Sequence, residues 1–440
     1  MGKEERKRSG FYSLRLLKGN TRVSVIFLPL WSIPYAMFNF YLGLYMKARG
    51  ITDQQLGDLI AIGFLAGTLL SLFSGMITDH LGRKKTTLIF DFITWPLTLC
   101  IYVWANNFWH FVLAAVCNNF GRIVNVSYTL MLVEDATDEE RKAAFALSNM
   151  INILSGVFVP LAGGLVNRLG IIPAERILLG LAIISMTTMI FWRNHYYVET
   201  RVGSEILQEN QKKKLITGLR INLFGNTISY LKRKPSVLIG MILTVLFNVY
   251  LPVGTINSLY FVPYLAEQLN QGEVLVSLLG LINSVTIWLV LAFLLPRLQQ
   301  GLFPLLLGVG FHLCYLIILL VIKPGTFWPL TIAIIFYALG FGLFRPLVDA
   351  LFADITEGKE RAGLYGLNSA LTSILSALAG FYSGRLYERS PVAIYLFSLV
   401  IILFCLAGLF LYAFLEKKPL GPWVNLPRRK KESPSSSRIS

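Results

Sequence analysis

The residues of this chain that could do chemistry are charged side chains inside long apolar stretches of sequence. Arg122 lies in the middle of one stretch, Asp91 lies near the start of another, and Arg345 lies in a third with Asp349 four residues further on. A charge is costly inside hydrocarbon, so each of these groups needs a partner or a task. The chemistry open to them is proton coupling through Asp349, Asp91 or Arg122, or contact between an arginine and an anionic ligand.

Each of these charged groups also has a purely structural interpretation. The spacing of Arg345 and Asp349 places both on one face of a helix, where an intrahelical ion pair is expected. A structural Arg122 would be tied to backbone carbonyls and to the asparagines beside it, and a structural Asp91 would pair with the basic cluster at residues 83–85. The sequence leaves both interpretations open.

Amides and aromatic rings in the apolar stretches predict an amphipathic cavity inside the protein. Binding cavities combine apolar walls with a few polar groups that orient the ligand. Because many aromatic side chains in such stretches only pack against their neighbours, the prediction depends on the set and not on any single residue. The candidate lining residues are Tyr35, Asn39, Asn118, Asn119, Arg122, Asn248, Asn283, Trp288, Arg345 and Asn368.

The elements that must position these residues are membrane-spanning helices. The 440 residues are 55% hydrophobic and 15% charged, whereas a soluble domain carries about 25% charged residues. Apolar stretches of about 20 residues, each long enough to cross ~30 Å of hydrocarbon, recur along the chain. We predict an all-α polytopic membrane protein with about twelve spans, near residues 23–46, 55–79, 86–105, 109–133, 143–167, 176–193, 236–265, 274–296, 302–322, 327–353, 362–384 and 392–415.

The basic residues predict how these spans are oriented. The net charge is +16, and the lysines and arginines concentrate in residues 1–22, 194–234 and 417–440. Cytoplasmic segments of membrane proteins carry such an excess. We therefore expect a multi-pass protein of the plasma (inner) membrane with both termini in the cytoplasm, and the basic character needs no nucleic-acid partner to explain it.

Metal and cofactor chemistry is not indicated by the sequence. The four cysteines lie in apolar stretches at unrelated spacings, and the four histidines fall in separate regions. Neither set has the spacing of a metal site. A phosphate-binding loop with the Gly-x4-Gly-Lys-(Ser/Thr) pattern is also absent from the sequence. We expect no metal, no cofactor and no ATP-driven step.

The chain divides into two similar halves. Residues 135–149 (DATDEERKAAFALSN) align without gaps to residues 354–368 (DITEGKERAGLYGLN), and both segments join a fourth to a fifth span. Such internal similarity is typical of duplicated membrane folds with a site between the halves. The predicted domains are a basic N-terminal segment (1–22), a six-helix bundle (23–193), a linker with an amphipathic helix (194–234), a second six-helix bundle (235–416) and a basic, Ser-rich tail (417–440).

Small residues four apart run down the second span, and a charged cluster follows them. Gly63, Gly67, Ser71 and Gly75 predict close packing against span 11, which has its own small residues (Ala362, Gly366, Ala370, Ser373, Ala377, Gly380 and Gly384). The cluster Gly75-Met-Ile-Thr-Asp-His-Leu-Gly-Arg-Lys84 resembles the signature between helices two and three of the major facilitator superfamily. Gly75, Asp79, Gly82, Arg83 and Lys84 match that signature, whereas His80 stands where a permanent cation is usual.

The resemblance implies a secondary transporter with two bundles that rock about a central site. In that family Asp79 and its neighbours would form a latch between the halves, and Arg122 would correspond to the buried arginine of proton antiporters. In span five, Pro160, Gly163 and Gly164 match the end of the antiporter signature, although Val159 replaces a glycine. These residues favour a kinked helix and proton-coupled efflux of small amphipathic compounds by a monomer in the lipid bilayer.

Two other functions stay open at this stage. Arg122 and Arg345, in equivalent helices of the two halves, favour a proton-coupled carrier of an organic anion or a small polar nutrient. The remote alternative is a membrane enzyme or receptor. The chain has no acid–histidine constellation or long catalytic loop that would support it.

Overall fold

The computed structural model describes residues 14–210, 230–231, 233–298, 301–356 and 361–416. The amphipathic part of the linker, most of the basic N-terminal segment and the C-terminal tail lie outside these residues. Part of the second copy of the internal repeat, residues 357–360, also lies outside them.

The described residues form twelve helical spans and no strand. Several spans consist of consecutive helices separated by a short irregularity. In the first half the spans are Gly19–Phe27 with Pro29–Ala48, Asp53–Leu81, Arg83–Phe92 through Ile93–Leu97 to Thr98–Trp104, Phe108–Asn119 with Gly121–Val133, Asp138–Leu154 through Ser155–Phe158 to Val159–Leu169, and Ile171–Tyr196. A short helix, Arg201–Asn210, follows span 6.

The second half repeats this arrangement. Its spans 7 to 12 are Pro235–Gly254 with Phe261–Pro263 and Tyr264–Gln268, Glu273–Leu289 through Val290–Leu294 to Leu295–Arg297, Leu302–Val321, Phe327–Ile355, Arg361–Arg389 and Ala393–Glu416. Eleven helices are long and apolar enough to cross a membrane by length and composition. Span 4 supplies the twelfth as two helices of 12 and 13 residues that meet at Phe120. The predicted all-α polytopic fold is confirmed.

Spans 2 and 11 pack closely, as their small residues predict, but through a different part of span 2. A Cβ at Gly57 would lie 2.8 Å from the backbone nitrogen of Gly384 and would also meet the carbonyl of Gly380. Gly63 and Gly67 instead face the Asn119 side chain of span 4, and Gly75 has open space around it. The expectation of one continuous stripe was wrong because a four-residue step overshoots a helical turn by about 40°, so the stripe drifts around the helix.

Polar contacts join the two halves at the end of the molecule where Gly57 meets Gly384, which we call the closed end. Lys47 pairs with Glu267 at 2.6 Å, Arg385 pairs with Asp58 at 3.0 Å, and Gln54 contacts Glu388. Each of these contacts links a residue of the first half to one of the second. We call the opposite end, which carries residues 79–84, the motif end.

Spans 5 and 8 also approach closely between the halves. A Cβ at Gly163 would clash with the Ser277 side chain, and one at Gly156 would clash with Ser284. The 3-10 turn Ser155–Phe158 interrupts span 5 directly before Pro160, which lies in the first turn of the helix that follows. Gly164 has no neighbour within 4 Å of a Cβ position, so the close contact depends on Gly163 and not on Gly164.

Replacement of Gly57 by Val is expected to separate spans 2 and 11 at the closed end. The added side chain meets backbone atoms that cannot move aside, and overpacking of this kind costs about 1–3 kcal/mol. The measurement is the distance between spin labels at Asn106→Cys and Lys323→Cys, which lie at the closed end in opposite halves, with the native cysteines replaced. We expect a longer distance than in the parent protein.

The control for this prediction is Gly75→Val, at a position where the added side chain meets nothing. It should leave the label distance unchanged. An unaltered distance in Gly57→Val, or an equal lengthening in both variants, would contradict the assignment of this contact to the closed end.

Candidate functional site

Two cavities lie between the halves and share Asn257. The first has a volume of about 340 Å³ and is lined by spans 1, 5, 7, 8 and 10. The second has a volume of about 520 Å³ and is lined by spans 2, 4, 7 and 11. The predicted residues Tyr35, Asn39 and Asn283 line the first cavity, and Arg122, Asn248 and Asn368 line the second.

The shared residue lies where span 7 is interrupted. The helix Pro235–Gly254 ends two residues after Pro252, and helical structure resumes only at Phe261. The amide nitrogen of Asn257 donates to the hydroxyl of Thr255 at 3.2 Å, which closes a local turn. A broken helix leaves backbone groups available where it lines a cavity. The break divides the span predicted at 236–265, and Pro252 and Gly254 are its signals in the sequence.

Aromatic rings form one wall of the first cavity. Trp31 stacks on Tyr35 with ring centroids 4.9 Å apart. Trp95 contacts Tyr35 in an edge-to-face arrangement, with ring centroids 5.6 Å apart. The indole nitrogen of Trp31 and the side-chain oxygen of Asn283 are buried without a hydrogen-bond partner in the described part of the chain. The wall of the cavity therefore contains an unpaired donor and an unpaired acceptor beside an aromatic surface, a combination that suits an amphipathic molecule.

Trp288 is not among the residues that line either cavity. Its ring packs edge-on against Phe293 of the same span, with centroids 5.8 Å apart. Many aromatic residues in such spans only pack against a neighbouring ring, and Trp288 is one of them. The contact gives Trp288 no place in the cavity wall.

Arg122 reaches the second cavity because span 2 has glycine opposite it. A Cβ at Gly67 would lie 3.2 Å from the Nε atom of Arg122. The neighbouring asparagines turn away from the cavity, because Asn119 donates to the Ala115 carbonyl at 2.8 Å and Asn118 to the Thr94 carbonyl at 3.5 Å. These two side-chain amides therefore form hydrogen bonds with backbone carbonyls of spans 3 and 4 and do not line the site.

Arg345 is held by partners on two helices. It pairs with Asp349 at 2.9 Å, as the spacing predicts, and donates to the side-chain oxygen of Asn248 at 2.6 Å. The Asn248 amide in turn donates to the Thr244 carbonyl, and the Thr244 hydroxyl donates to Asn368 at 2.9 Å. This network fixes the wall of the second cavity, and Arg345 acts on the cavity through Asn248.

Asp91 lies apart from both cavities in a buried ion pair. Its partner is Arg193 of span 6, and not the basic cluster at 83–85 that the sequence suggested. The side chains of Asp91 and Arg193 are 2% and 7% exposed, and the guanidinium of Arg193 also lies over the rings of Tyr128 and Tyr197. The arrangement ties span 3 to span 6.

The charged cluster at the motif end has partners in the first half of the chain. Arg83 pairs with Asp79 at 3.0 Å and with Glu134 at 3.1 Å. The Glu199 carboxylate accepts hydrogen bonds from the backbone nitrogens of Arg83 and Lys84 at the start of span 3, where an anion is favoured. Gly82 has φ +86°, which explains the glycine in the signature. These contacts connect spans 2, 3 and 4 with the segment after span 6, and the latch between the halves stays a prediction.

Three buried or partly buried acidic residues, Glu134, Glu199 and Glu175, are not among the site residues predicted from the sequence. Glu134 and Glu199 lie at span ends, where acids are common and therefore give little signal. Glu175 lies just before the span predicted at 176–193, but span 6 begins earlier, at Ile171. The Glu175 side chain is fully buried, and neither carboxyl oxygen has a hydrogen-bond partner among the described residues.

Two six-span bundles around a central cavity that is closed at one end define the architecture of a membrane transporter. The sequence matches the Major Facilitator Superfamily over residues 30–348 and 305–439, and the chain belongs to this family. It is 21% identical over 351 residues to the quinolone resistance protein NorA of Staphylococcus aureus, an alignment that covers 79% of this chain and 84% of NorA.

Solved structures support the same fold. A nucleoside transporter NupG variant superposes with a TM-score of 0.67 at 14% identity and covers 90% of this chain and 100% of its own. A D-xylose-proton symporter superposes with a TM-score of 0.65 at 15% identity, over 93% and 98% of the two chains. The relatives and structural neighbours are transporters, so the enzyme alternative is set aside.

Replacement of Asp91 by Asn is expected to destabilise the protein strongly. It leaves the buried charge of Arg193 without its partner, and breaking a buried ion pair from one side costs about 3–5 kcal/mol. The measurement is the thermal unfolding temperature of the purified protein. The double variant Asp91→Leu/Arg193→Met, which removes both charges, should recover most of the loss. A single variant as stable as the parent protein would contradict the structural role of this pair.

Proposed function

We propose that this chain is a proton-coupled antiporter that exports small amphipathic compounds by rocker-type alternating access. The observation that carries the proposal is the cavity between the halves, which has aromatic walls, a few amides and one closed end. The similarity to NorA supports efflux, because that protein is a quinolone resistance protein.

The proposal includes an orientation and a conformation. The basic segments 1–22, 194–234 and 417–440 favour cytoplasmic termini in the plasma membrane. The motif end, where the described Glu199 contacts Arg83 and Lys84, then faces the cytoplasm, and the closed end faces outward. With the closed end shut, the cavity is accessible from the cytoplasm, where a compound to be exported would enter. We further propose that the monomer is the working unit.

The proton site that we propose is Glu175. A carboxylate without a partner in an apolar interior costs several kcal/mol, so the buried side chain is expected to hold a proton in this conformation. Span 6, which carries Glu175, packs against span 1, which carries Tyr41 and Tyr45. The hydroxyl of Tyr41 donates to the Glu273 carbonyl of the second half at 2.7 Å. The proposed proton site therefore lies in a helix next to the span that makes this contact between the halves.

Asp349 remains a second candidate for the proton. Its side chain is 50% exposed and forms an ion pair with Arg345 at 2.9 Å. Asp91 is the third candidate of the sequence analysis, and its pairing with Arg193 favours a structural role. Arg122 was also considered for coupling, and its position at the second cavity favours contact with the substrate.

The second candidate function is a proton-coupled carrier of an organic anion or small polar nutrient. Arg122 favours it, because this cation lines a cavity whose other lining residues are uncharged. The two functions are separated by purified protein in liposomes with a trapped pH dye and an imposed proton gradient. Ligand-dependent proton movement with amphipathic drug-like compounds supports the exporter, whereas movement only with sugars or small hydrophilic anions supports the carrier.

Replacement of Glu175 by Gln is expected to uncouple transport from protons. The amide keeps the size of the side chain but cannot release a proton, so ligand-dependent proton flux in these liposomes should fall at least about tenfold while ligand binding persists. The exposed acid Glu139 provides the matched control, and Glu139→Gln should behave as the parent protein. Normal coupling in Glu175→Gln would exclude this site, and the same assay on Asp349→Asn would then test the second candidate.

A further inference from the structure

We infer that the compounds bound at the central site carry an anionic group, which binds Arg122 in the second cavity while the apolar part occupies the first cavity. The inference rests on the proposed function, because it names the chemical class of the amphipathic substrate. It is carried by the distribution of charge around the two cavities and by a difference between the two halves.

Arg122 supplies the formal charge of the cavity walls. The residues that line the second cavity with it are apolar residues, amides and hydroxyl residues: Phe64, Asn248, Leu251, Pro252, Asn257, Tyr365, Asn368, Ser369, Thr372 and Ser373. The first cavity is likewise lined by aromatic, aliphatic, amide and hydroxyl residues. A single positive charge in a cleft with low-dielectric walls attracts anions strongly, because the walls focus its field.

The two halves treat their arginines differently. Arg345 of span 10 has Asp349 four residues later, and the two side chains form an ion pair at 2.9 Å. Arg122 of span 4 has Val126 at the same spacing. Within the described ranges, Arg122 has neither a hydrogen bond nor an ion pair that would neutralise it. Asp349 thus neutralises the charge of Arg345 within the second half, whereas the charge of Arg122 remains available to a ligand.

Span 2 is shaped to hold Arg122 in this position. A Cβ at Gly67 would lie 2.6 Å from the Oδ1 atom of Asn119 and 3.2 Å from the Nε atom of Arg122, and a Cβ at Gly63 would lie 3.1 Å from the Nδ2 atom of Asn119. The guanidinium therefore lies along the surface of span 2 and extends to the cavity. This accounts for two glycines that do not contact span 11.

A neutral donor in the same cavity suits an anion as well. The hydroxyl of Thr372 is buried and has no hydrogen-bond partner in the described segments. It lies in span 11, which lines the second cavity together with span 4, the helix of Arg122. A carboxylate, sulfonate or phosphate ester between them would accept hydrogen bonds from both helices, and a charge-assisted bond to Arg is among the stronger ones.

The aromatic end of such a ligand would lie in the first cavity. Asn257 lines both cavities, so the cavities adjoin at this residue, and we place one ligand across it from the ring pair Trp31 and Tyr35 to the neighbourhood of Arg122. The combined volume suits a compound with one aromatic group, a short connection and one acidic group. A cationic amphipathic compound fits the aromatic wall but meets a like charge in the second cavity.

The test uses three arylalkyl ligands of equal length that end in a carboxylate, a primary amide or an amine. Their dissociation constants for the detergent-purified full chain are measured by calorimetry at pH 7.5. We expect the carboxylate to bind at least about tenfold more tightly than the amide, and the amine to bind most weakly. Equal binding of the carboxylate and the amide by the parent protein, or preference for the amine, would overturn the inference.

Val126→Asp is the decisive variant. It gives Arg122 the internal partner that Asp349 gives Arg345, while the arginine itself stays in place. The preference for the carboxylate over the amide should fall to about twofold or less, and amide binding should be unchanged. Val126→Asn adds a side chain of the same shape without the charge and should keep the preference. A preference that survives in Val126→Asp would contradict the role of Arg122.

Arg122→Gln gives an independent test if Val126→Asp does not fold. It removes the charge and should abolish the preference for the carboxylate, whereas Arg122→Lys should retain part of it. These binding measurements are separate from the proposed function. Carboxylate preference without proton movement in liposomes would defeat the antiport proposal and leave the anion site standing, and proton exchange with amide and amine ligands alone would do the reverse.

Discussion

The close approach of spans 2 and 11 at the closed end is the contact on which the rest of the structure depends. Gly57, Gly380 and Gly384 bring two backbones together, and a side chain at any of these positions would meet main-chain atoms or a neighbouring side chain at once. In lipid, helix association depends on this kind of packing because the hydrophobic effect gives no preference for one apolar neighbour over another. With these helices in contact, Lys47 reaches Glu267 and Arg385 reaches Asp58. The cavities are the space that remains between the halves when they touch at this end.

Charge is distributed inside this framework according to what each group must do. Two charged side chains inside the spans are neutralised by a partner in the protein: Arg193 pairs with Asp91, and Arg345 pairs with Asp349. Among the described residues, Arg122 at the second cavity and Glu175 in span 6 have no such partner. Uncompensated polar groups are expensive in a membrane protein and therefore mark functional positions. The two exceptions have opposite chemistry, since one suits an anion and the other a proton.

Much of the fold could be predicted from the sequence because the apolar stretches have the length of a bilayer. The twelve spans, the Arg345–Asp349 pair and the contact between spans 2 and 11 follow from local composition and spacing. The face of span 2 that meets span 11 could not be predicted, since it depends on how far the helix rotates along its length. The Asp91–Arg193 pair joins residues 102 positions apart, and no local pattern specifies such a partner. The predicted start of span 6, at residue 176, is too late. Gly170, Pro173 and Glu175 resemble a loop in the sequence, although span 6 begins at Ile171.

The polar contacts at the closed end have a thermodynamic consequence for the cycle as a whole. Lys47 and Arg385 are each partly exposed, and ion pairs at such positions contribute about 0–1 kcal/mol. In the proposed alternating-access cycle, a seal made of such weak contacts adds little to the free-energy difference between the closed form and the opened form. A difference of about 1–3 kcal/mol in how tightly a ligand binds the two forms then shifts their populations. The modest strength of the seal therefore leaves the bound ligand to set which form is populated.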